Sequence, residues 1–528
     1  MWIRFCLLVV IFFSSCQQKK PATLKPKILH MNIHQEPSNI DPRKGSDWIS
    51  SVMHFNLFEG LIRLNPDGSL TPAQAESVDI STDLLVYTFH LRKTFWSNGE
   101  PVTAQDFEMS WKKILSPDFP APNAHLLYPI KNAERAKKGE VPVEDVGIRS
   151  IDDKTLVVTL QYPVPYFLNL ISFSTFFPVS YKIDTQVSDW TSDATPSFVS
   201  NGPFSLESWK HHNEMILQKN PLYWNRQSVQ LDQIAISMIA DGNTALHMFE
   251  NGELDIIGLG ISPIPTEALT KYAKKGLIHL NHFPGTTILC FNLDKFPFNN
   301  LLIRKAFAYA LNRKDIVENI TGAEGSVAQE IISPGLKNGI SSSFLEDGNI
   351  FLAQQYLAAG LKELGLSLQE FPAITYSYTS TGTNHALAQA IQQQLAQHLG
   401  ISIQLDRSDY KTLLEKLSTR TYTLAQSSWV AQYRDPMNIL ERFKYKSNIK
   451  NYPGWENPVF IQLLNKSILD RTPEERLKTL ELAEAILIQE MPLVPLYHWS
   501  SAFMVQPYIS GYETSPDGVF DYSHLQIK

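Results

Sequence analysis

The amino-acid sequence predicts an α/β fold with mixed and parallel sheets, and three observations carry the prediction. First, residues 373–378 read as a strand, and residues 385–399 then place Leu387, Ile391, Leu395 and Leu399 on one helix face. Gly400 stops that helix, and Ile401, Ile403 and Leu405 alternate as a second strand, so the run is a βαβ unit. Second, residues 70–115 read as a strand, a tight turn and a capped helix. Third, 528 residues at 43% hydrophobic and 19% charged are ordinary globular content, with length for two to four domains.

The elements follow in order from the N-terminus. Residues 1–16 read as a targeting segment, with Arg4 the only charge before an apolar run of nine residues, 5–13. A membrane span needs about 20 residues, so this is a signal-peptide core rather than a transmembrane helix. It ends in Phe13-Ser14-Ser15-Cys16, which resembles a bacterial lipobox with Phe13 where Leu is preferred. That resemblance makes Cys16 a lipidated mature N-terminus; an ordinary cleaved signal is the alternative. Residues 17–27 form a polar tether, and residues 29–33 are the first strand candidate of the body.

In the 70–115 stretch, Leu85, Tyr87, Phe89 and Leu91 share one face at period two, the pattern of a half-buried strand. Asn98-Gly99 supplies the positive φ of a tight turn. Thr103 is placed as a helix N-cap with Asp106 three residues on, a capping-box spacing, and Val102 and Phe107 sit at staple spacing across it. Phe107, Trp111, Ile114 and Leu115 make the apolar helix face. Residues 147–160 alternate as two strands around Asp152-Asp153. A helix begins at Asn243 and ends near Asn251-Gly252. A strand at 288–293 leads through Pro297 into a helix carrying Ile303, Ala306, Phe307, Ala310 and Leu311 on one face. Thr472-Pro473-Glu474-Glu475 opens a late helix with a capping box and Pro at its first position, and residues 493–499 return as an extended segment.

No local constellation for covalent chemistry is present. Gly-x-Ser-x-Gly, His-Glu-x-x-His, a Walker-type Gly-rich loop and Cys-x-x-Cys are all absent, and the 14 histidines lack ligand spacing. A net charge of −7 argues against nucleic acid as a partner. Of three cysteines, Cys6 and Cys16 fall in the targeting segment, so only Cys290 remains in the body and no intrachain disulfide or thiolate metal site can form. These absences leave no positive reason to propose an enzyme, a metal or a cofactor, although a catalytic triad need not be local in sequence.

Several motifs in these elements do carry specific information. Pro72, Ala75-Glu76-Ser77, residues 87–93 (Tyr-Thr-Phe-His-Leu-Arg-Lys), Trp96-Ser97-Asn98-Gly99, Pro101-Val102-Thr103-Ala104, Asp106-Phe107 and Ser110-Trp111 together resemble the signature of the bacterial extracellular solute-binding proteins of peptide ABC importers (family 5), the oligopeptide-binding proteins above all. Ser200-Asn201-Gly202-Pro203-Phe204, Gly252-Glu253-Leu254-Asp255 and Ala310-Leu311-Asn312-Arg313 extend the resemblance along the chain.

The resemblance implies a two-lobed periplasmic-binding-protein-like fold of the large three-domain type. Lobe I would comprise 28–57, 182–284 and 500–528, an inserted domain 58–181, and lobe II 285–499. It implies a monomer, exported to the periplasm or cell surface as a lipoprotein, that closes on an oligopeptide and delivers it to an ABC permease. A dipeptide, a muropeptide, a nickel chelate and haem are the ligand alternatives, and a secreted hydrolase is the alternative from another class.

By the same resemblance, Gly45, Ser46, Asp47 and Trp48 would lie along the ligand in lobe I; a plain surface loop is the alternative. In lobe II the ligand segment is Ser427, Ser428, Trp429, Val430, Ala431 and Gln432, with Asp435 after it, and its main chain would pair with an extended peptide. Gln432 stands where the family commonly carries an Asp for the peptide's α-ammonium; Asp435 is a candidate substitute for that charge. Gln426 stands where a basic residue can occur, and Cys290 is expected on another wall segment. His385 matches a position near the peptide's C-terminal carboxylate. For Asp435 and His385, loop decoration and an exposed helix-start histidine remain open alternatives.

Overall fold

The structure is a computed structural model that describes residues 26–528 except 46, 323–324, 338–339, 341, 380–381, 471 and 514–519. Cys16, Ser46 and the targeting segment lie outside the described residues. In chain order the elements used below are β1 Ile28–Ile33, α1 Trp48–Leu57, β2 Ala75–Ile80, β3 Val86–Leu91, α2 Ala104–Ile114, β4 Ile148–Asp152, β5 Thr155–Thr159, β6 Phe204–Lys210, β7 Glu214–Lys219, β8 Gln233–Met238, β9 Ile256–Gly258, β10 His279–Phe291, α3 Leu301–Tyr309, α4 Ile350–Leu364, β11 Ile374–Thr379, α5 Asn384–Leu399, β12 Ile403–Ser408, β13 Leu424–Val430, α6 Pro473–Glu490 and β14 Leu493–Val505.

The 70–115 stretch folds by local devices. Tyr87, Phe89 and Leu91 of β3 are buried, and β2-β3-β5-β4 form a four-stranded antiparallel sheet. The Gly99 N–H donates to the Trp96 carbonyl at 2.9 Å, with Gly99 at φ +89°. The Asp106 carboxylate accepts from the Thr103 N–H at 2.8 Å and the Thr103 hydroxyl at 3.1 Å. Its other oxygen takes the Tyr181 N–H at 2.9 Å, so the cap also ties a distant segment to the start of α2.

The large sheet is continuous, in the order β12-β11-β13-β10-β14-β9-β1-β8-β7-β6, with a short strand, Gly325–Val327, paired to β14. The βαβ unit is present: β11 pairs with β12 in parallel from Ile374↔Ile403 to Thr379↔Ser408, with α5 between them and Gly400 past its end at φ +70°. One contiguous core joins Leu29 and Met31 of β1, Met53 and Leu57 of α1, and Phe89, Phe107 and Trp111 of the four-stranded unit. Two further cores pack around α3, α5 and α6 in the other half of the molecule. Among the described residues no helix is long and apolar enough to cross a membrane.

Two strands of 13 residues each, β10 and β14, connect the halves. They pair antiparallel from His279↔Phe503 to Cys290↔Leu493, with register shifts between His282 and Thr286 and between Thr287 and Ile288. One end of β14 pairs with β9, and the opposite end of β10 pairs with β13. Pro284 and Gly285 sit at the irregularity. The Trp499 ring lies on Gly285 so closely that a Cβ there would stand 3.0 Å from it, and the Trp499 Nε1 donates to Thr287 Oγ1 at 2.8 Å. The boundaries expected at 284/285 and 499/500 fall inside these two strands.

Candidate functional site

A cavity of about 810 Å³ lies beside this crossing, lined from both halves. Its walls come from the start of α1, from loops around residues 122–125 and 173, from β10 and β14, and from β13 with the loop after it. A volume of this size is in the range that holds a small ligand.

α1 supplies Asp47 and Trp48. Asp47 is the helix N-cap: its carboxylate accepts from the Ser50 N–H at 2.9 Å, the Ser50 hydroxyl at 2.5 Å and the Ser38 hydroxyl. Burial alone would raise its pKa, but these hydrogen bonds hold it below the usual carboxylate range. The Trp48 indole donates to the Leu259 carbonyl at 2.9 Å and packs edge-on against Phe283, 4.5 Å between centroids. Gly45 does not line the cavity. It is buried under the His54 ring, which a Cβ at this position would overlap.

β13 supplies Gln426, Ser427, Ser428, Trp429 and Val430. On one edge it pairs with β10 from Val430↔Gly285 to Leu424↔Phe291. On the other edge, among the described residues, β11 pairs with it only at Tyr376↔Leu424 and Ser377↔Ala425. Among the described residues no strand pairing continues along that second edge beyond Ala425, and residues 426–430 line the cavity. An exposed edge of this kind is a template for an added strand.

The Gln432 amide is already engaged. His125 Nε2 donates to its Oε1 at 3.0 Å, and its Nε2 donates to Asn123 Oδ1 at 3.2 Å. Burial lowers the His125 pKa below the ordinary histidine value; the hydrogen bond to Gln432 opposes this, and the charge of Lys450 adds to the lowering. The end of the cavity at Gln432 therefore presents neutral groups, contributed jointly by residues 123–125 and 432.

Like Gly45, Asp435, His385 and Cys290 are placed away from the cavity wall. Asp435 is buried and does not face this cavity: Arg476 donates to both its oxygens, at 2.5 and 2.8 Å, and the Met437 N–H donates to Oδ1 at 2.8 Å. Its charge is already neutralised inside the protein. The His385 ring is also absent from the cavity wall, because its Nδ1 lies 2.7 Å from the Tyr378 hydroxyl and the two rings stack. Its neighbour Asn384 lines the cavity instead, and accepts at 2.6 Å from Gln426 Nε2. Cys290 is fully buried in a core, where burial pushes its thiol up to about 12.

Sequence reasoning missed Asn123, His125, Lys450 and Tyr452. They lie in loops without periodicity, and only the fold brings them to β13. Among the described residues no group of three or more His, Cys, Asp or Glu is placed to hold a metal ion.

The family model for the bacterial extracellular solute-binding proteins, family 5, matches residues 69–451, most of the chain. The chain belongs to that family. The Oligopeptide-binding protein OppA of Bacillus subtilis is 37% identical over 487 residues, 92% of this chain and 89% of that protein. The Dipeptide-binding protein DppE of the same organism is 34% identical over 509 residues, 95% and 92% of the two chains. Among solved structures, the OppA of Haemophilus influenzae in complex with the peptide RPPGFSPFR superposes with a TM-score of 0.75 at 26% identity, covering 95% of this chain and 99% of that one. The fold is therefore that of the family-5 binding proteins, a mixed α/β architecture around one large sheet.

Proposed function

We propose that this protein is the substrate-binding component of an ABC importer and captures oligopeptides in the cavity between its halves. The observation that carries the reading is the edge of β13 at residues 426–430, which among the described residues has no strand paired to it and lines a cavity of about 810 Å³. An extended peptide laid on that edge gains main-chain hydrogen bonds that are blind to its side chains. The family membership and the peptide-binding relatives in Bacillus subtilis point the same way.

On this reading lobe I is 28–57, 182–284 and 500–528, the inserted domain is 58–181, and lobe II is 285–499. Closure bends the β10–β14 ladder at Pro284-Gly285. A ligand held by Asp47 and Trp48 on one side and by Ser427, Ser428, Trp429, Val430 and Gln432 on the other favours the closed form, which alone makes both sets of contacts. The closed monomer docks on a membrane permease, and Cys16 anchors the exported protein by its lipid. The protein catalyses no reaction.

The neutral Gln432–His125–Asn123 cluster favours peptides whose amine is blocked or remote from this end, a muropeptide among them. Native mass spectrometry of the purified protein, followed by extraction of its ligand, tests the main reading. Co-purified peptides at one per chain are expected. A bound non-peptide would overturn it, as would cleavage of added peptides.

A further inference from the structure

Among the described residues the cavity wall carries two formally charged side chains, Asp47 and Lys450. Asp47 is committed to its own helix cap. Lys450 is half-buried, and among the described residues it forms no salt bridge; its Nζ stands 5.1 Å from the centroid of the Trp429 ring. The guanidinium of Arg442 lies over the same ring. Arg442 is only 6% exposed, and its Nε and Nη2 have no hydrogen-bond partner. Its neighbour Glu441 accepts from the Tyr433 hydroxyl at 3.3 Å and forms no salt bridge with Arg442, although its charge acts on both Arg442 and Lys450. The Trp429 ring that both cations approach is fixed by its Nε1, which donates to Asn438 Oδ1 at 3.0 Å.

Lys450 on the wall and Arg442 behind it thus place two positive charges about Trp429 with no direct salt bridge among the described residues, and the charge of Glu441 acts on both only at longer range. A buried cation without a direct ion pair is costly, and a ligand that supplies an anion at contact relieves that cost. The cation–aromatic contacts stabilise the side chains without neutralising them. The nearby Gln432 cluster adds no negative charge.

We propose that the Trp429–Lys450–Tyr452 wall is a carboxylate subsite of the ligand cleft, with Lys450 as the contact and Arg442 as the supporting charge behind Trp429. The assignment rests on the peptide reading above and names the group the peptide presents here. A carboxylate meeting Lys450 in a cavity shielded from bulk water forms a charge-assisted hydrogen bond, stronger than a neutral one. An ammonium at the same place faces like charge.

The test uses the whole folded protein and calorimetric titration with alanine tri-, tetra- and pentapeptides, each as free acid and as C-terminal carboxamide. The expected result is that at least one free acid binds about tenfold or more tightly than its carboxamide. The ratio falls to within about twofold of one in Lys450→Met, and falls part-way in Arg442→Met. Raising the salt weakens the acid and leaves the carboxamide unchanged. If a carboxamide peptide with one glutamate recovers the affinity, the carboxylate comes from a side chain rather than the terminus. Acid and amide binding equally, or an acid preference that survives in Lys450→Met, overturns the subsite and leaves the peptide reading standing. Failure of every peptide to bind overturns the peptide reading, and the subsite with it.

Discussion

Replacing Gln432 with Asp measures how much the neutral end of the cleft decides. In the native protein the Gln432 carbonyl accepts from His125 at 3.0 Å and its amide donates to Asn123 at 3.2 Å. Aspartate is one methylene shorter and has no N–H to donate, so it retracts from both partners and turns a carboxylate toward the cavity. A hydrogen bond to a charged group contributes about 1.5–3 kcal/mol. Lys450 competes for the new carboxylate, so the lower figure applies, and about 1.4 kcal/mol is a tenfold change in affinity. The assay is calorimetric titration of matched peptides with a free or an acetylated N-terminus. The preference for the free amine should rise about tenfold or more in Gln432→Asp. An unchanged preference, in a variant whose circular dichroism shows it folded, refutes the argument that the Gln432 cluster sets the charge at this end.

Two further outcomes follow from the same geometry. Asp435→Asn leaves Arg476 buried without its bidentate partner, which costs about 3–5 kcal/mol of stability, read as a lower urea midpoint. Peptide affinity should stay within about twofold, because Asp435 faces away from the cavity; a large loss of affinity for free-amine peptides without loss of stability would make Asp435 the ligand's counter-charge after all. Burial pushes His54 down to about 4 and His498 down to about 3. The native protein therefore refuses protons that the unfolded chain accepts below its ordinary value of about 6.5. Stability is full above that value and falls as the pH drops toward the native values, by about 2 kcal/mol per histidine between pH 7 and pH 5. Denaturant titrations at the two pH values check this, and equal midpoints would contradict it.

The parts of the fold that local chemistry determines were legible in the sequence. β3, the Gly99 turn and the Thr103–Asp106 cap lie within twenty-two residues of each other, and the α5 unit is marked by its leucine spacing and Gly400. The long strand β10 was not legible. Pro284 and Gly285 interrupt its pattern, so a strand was expected only from residue 288, whereas pairing with β14, more than two hundred residues away, extends it back to His279. The site divides in the same way. Asp47, Trp48 and residues 427–432 could be named because a resemblance marked them. His125 and Lys450 could not, since a loop histidine and a loop lysine carry no pattern until the halves of the molecule meet. Asp435 looked available in sequence because its partner Arg476 lies forty-one residues on.

The central claim is that the open edge of β13 takes a peptide as an added strand. Titrating one binding peptide against analogues with single backbone N-methyl groups tests it most directly, because each methyl removes one main-chain donor and leaves the side chains in place. The account predicts one peptide per protein and a loss of about five- to a hundredfold at alternate positions, those whose N–H groups face residues 426–430. Equal affinity at every methylated position would contradict it.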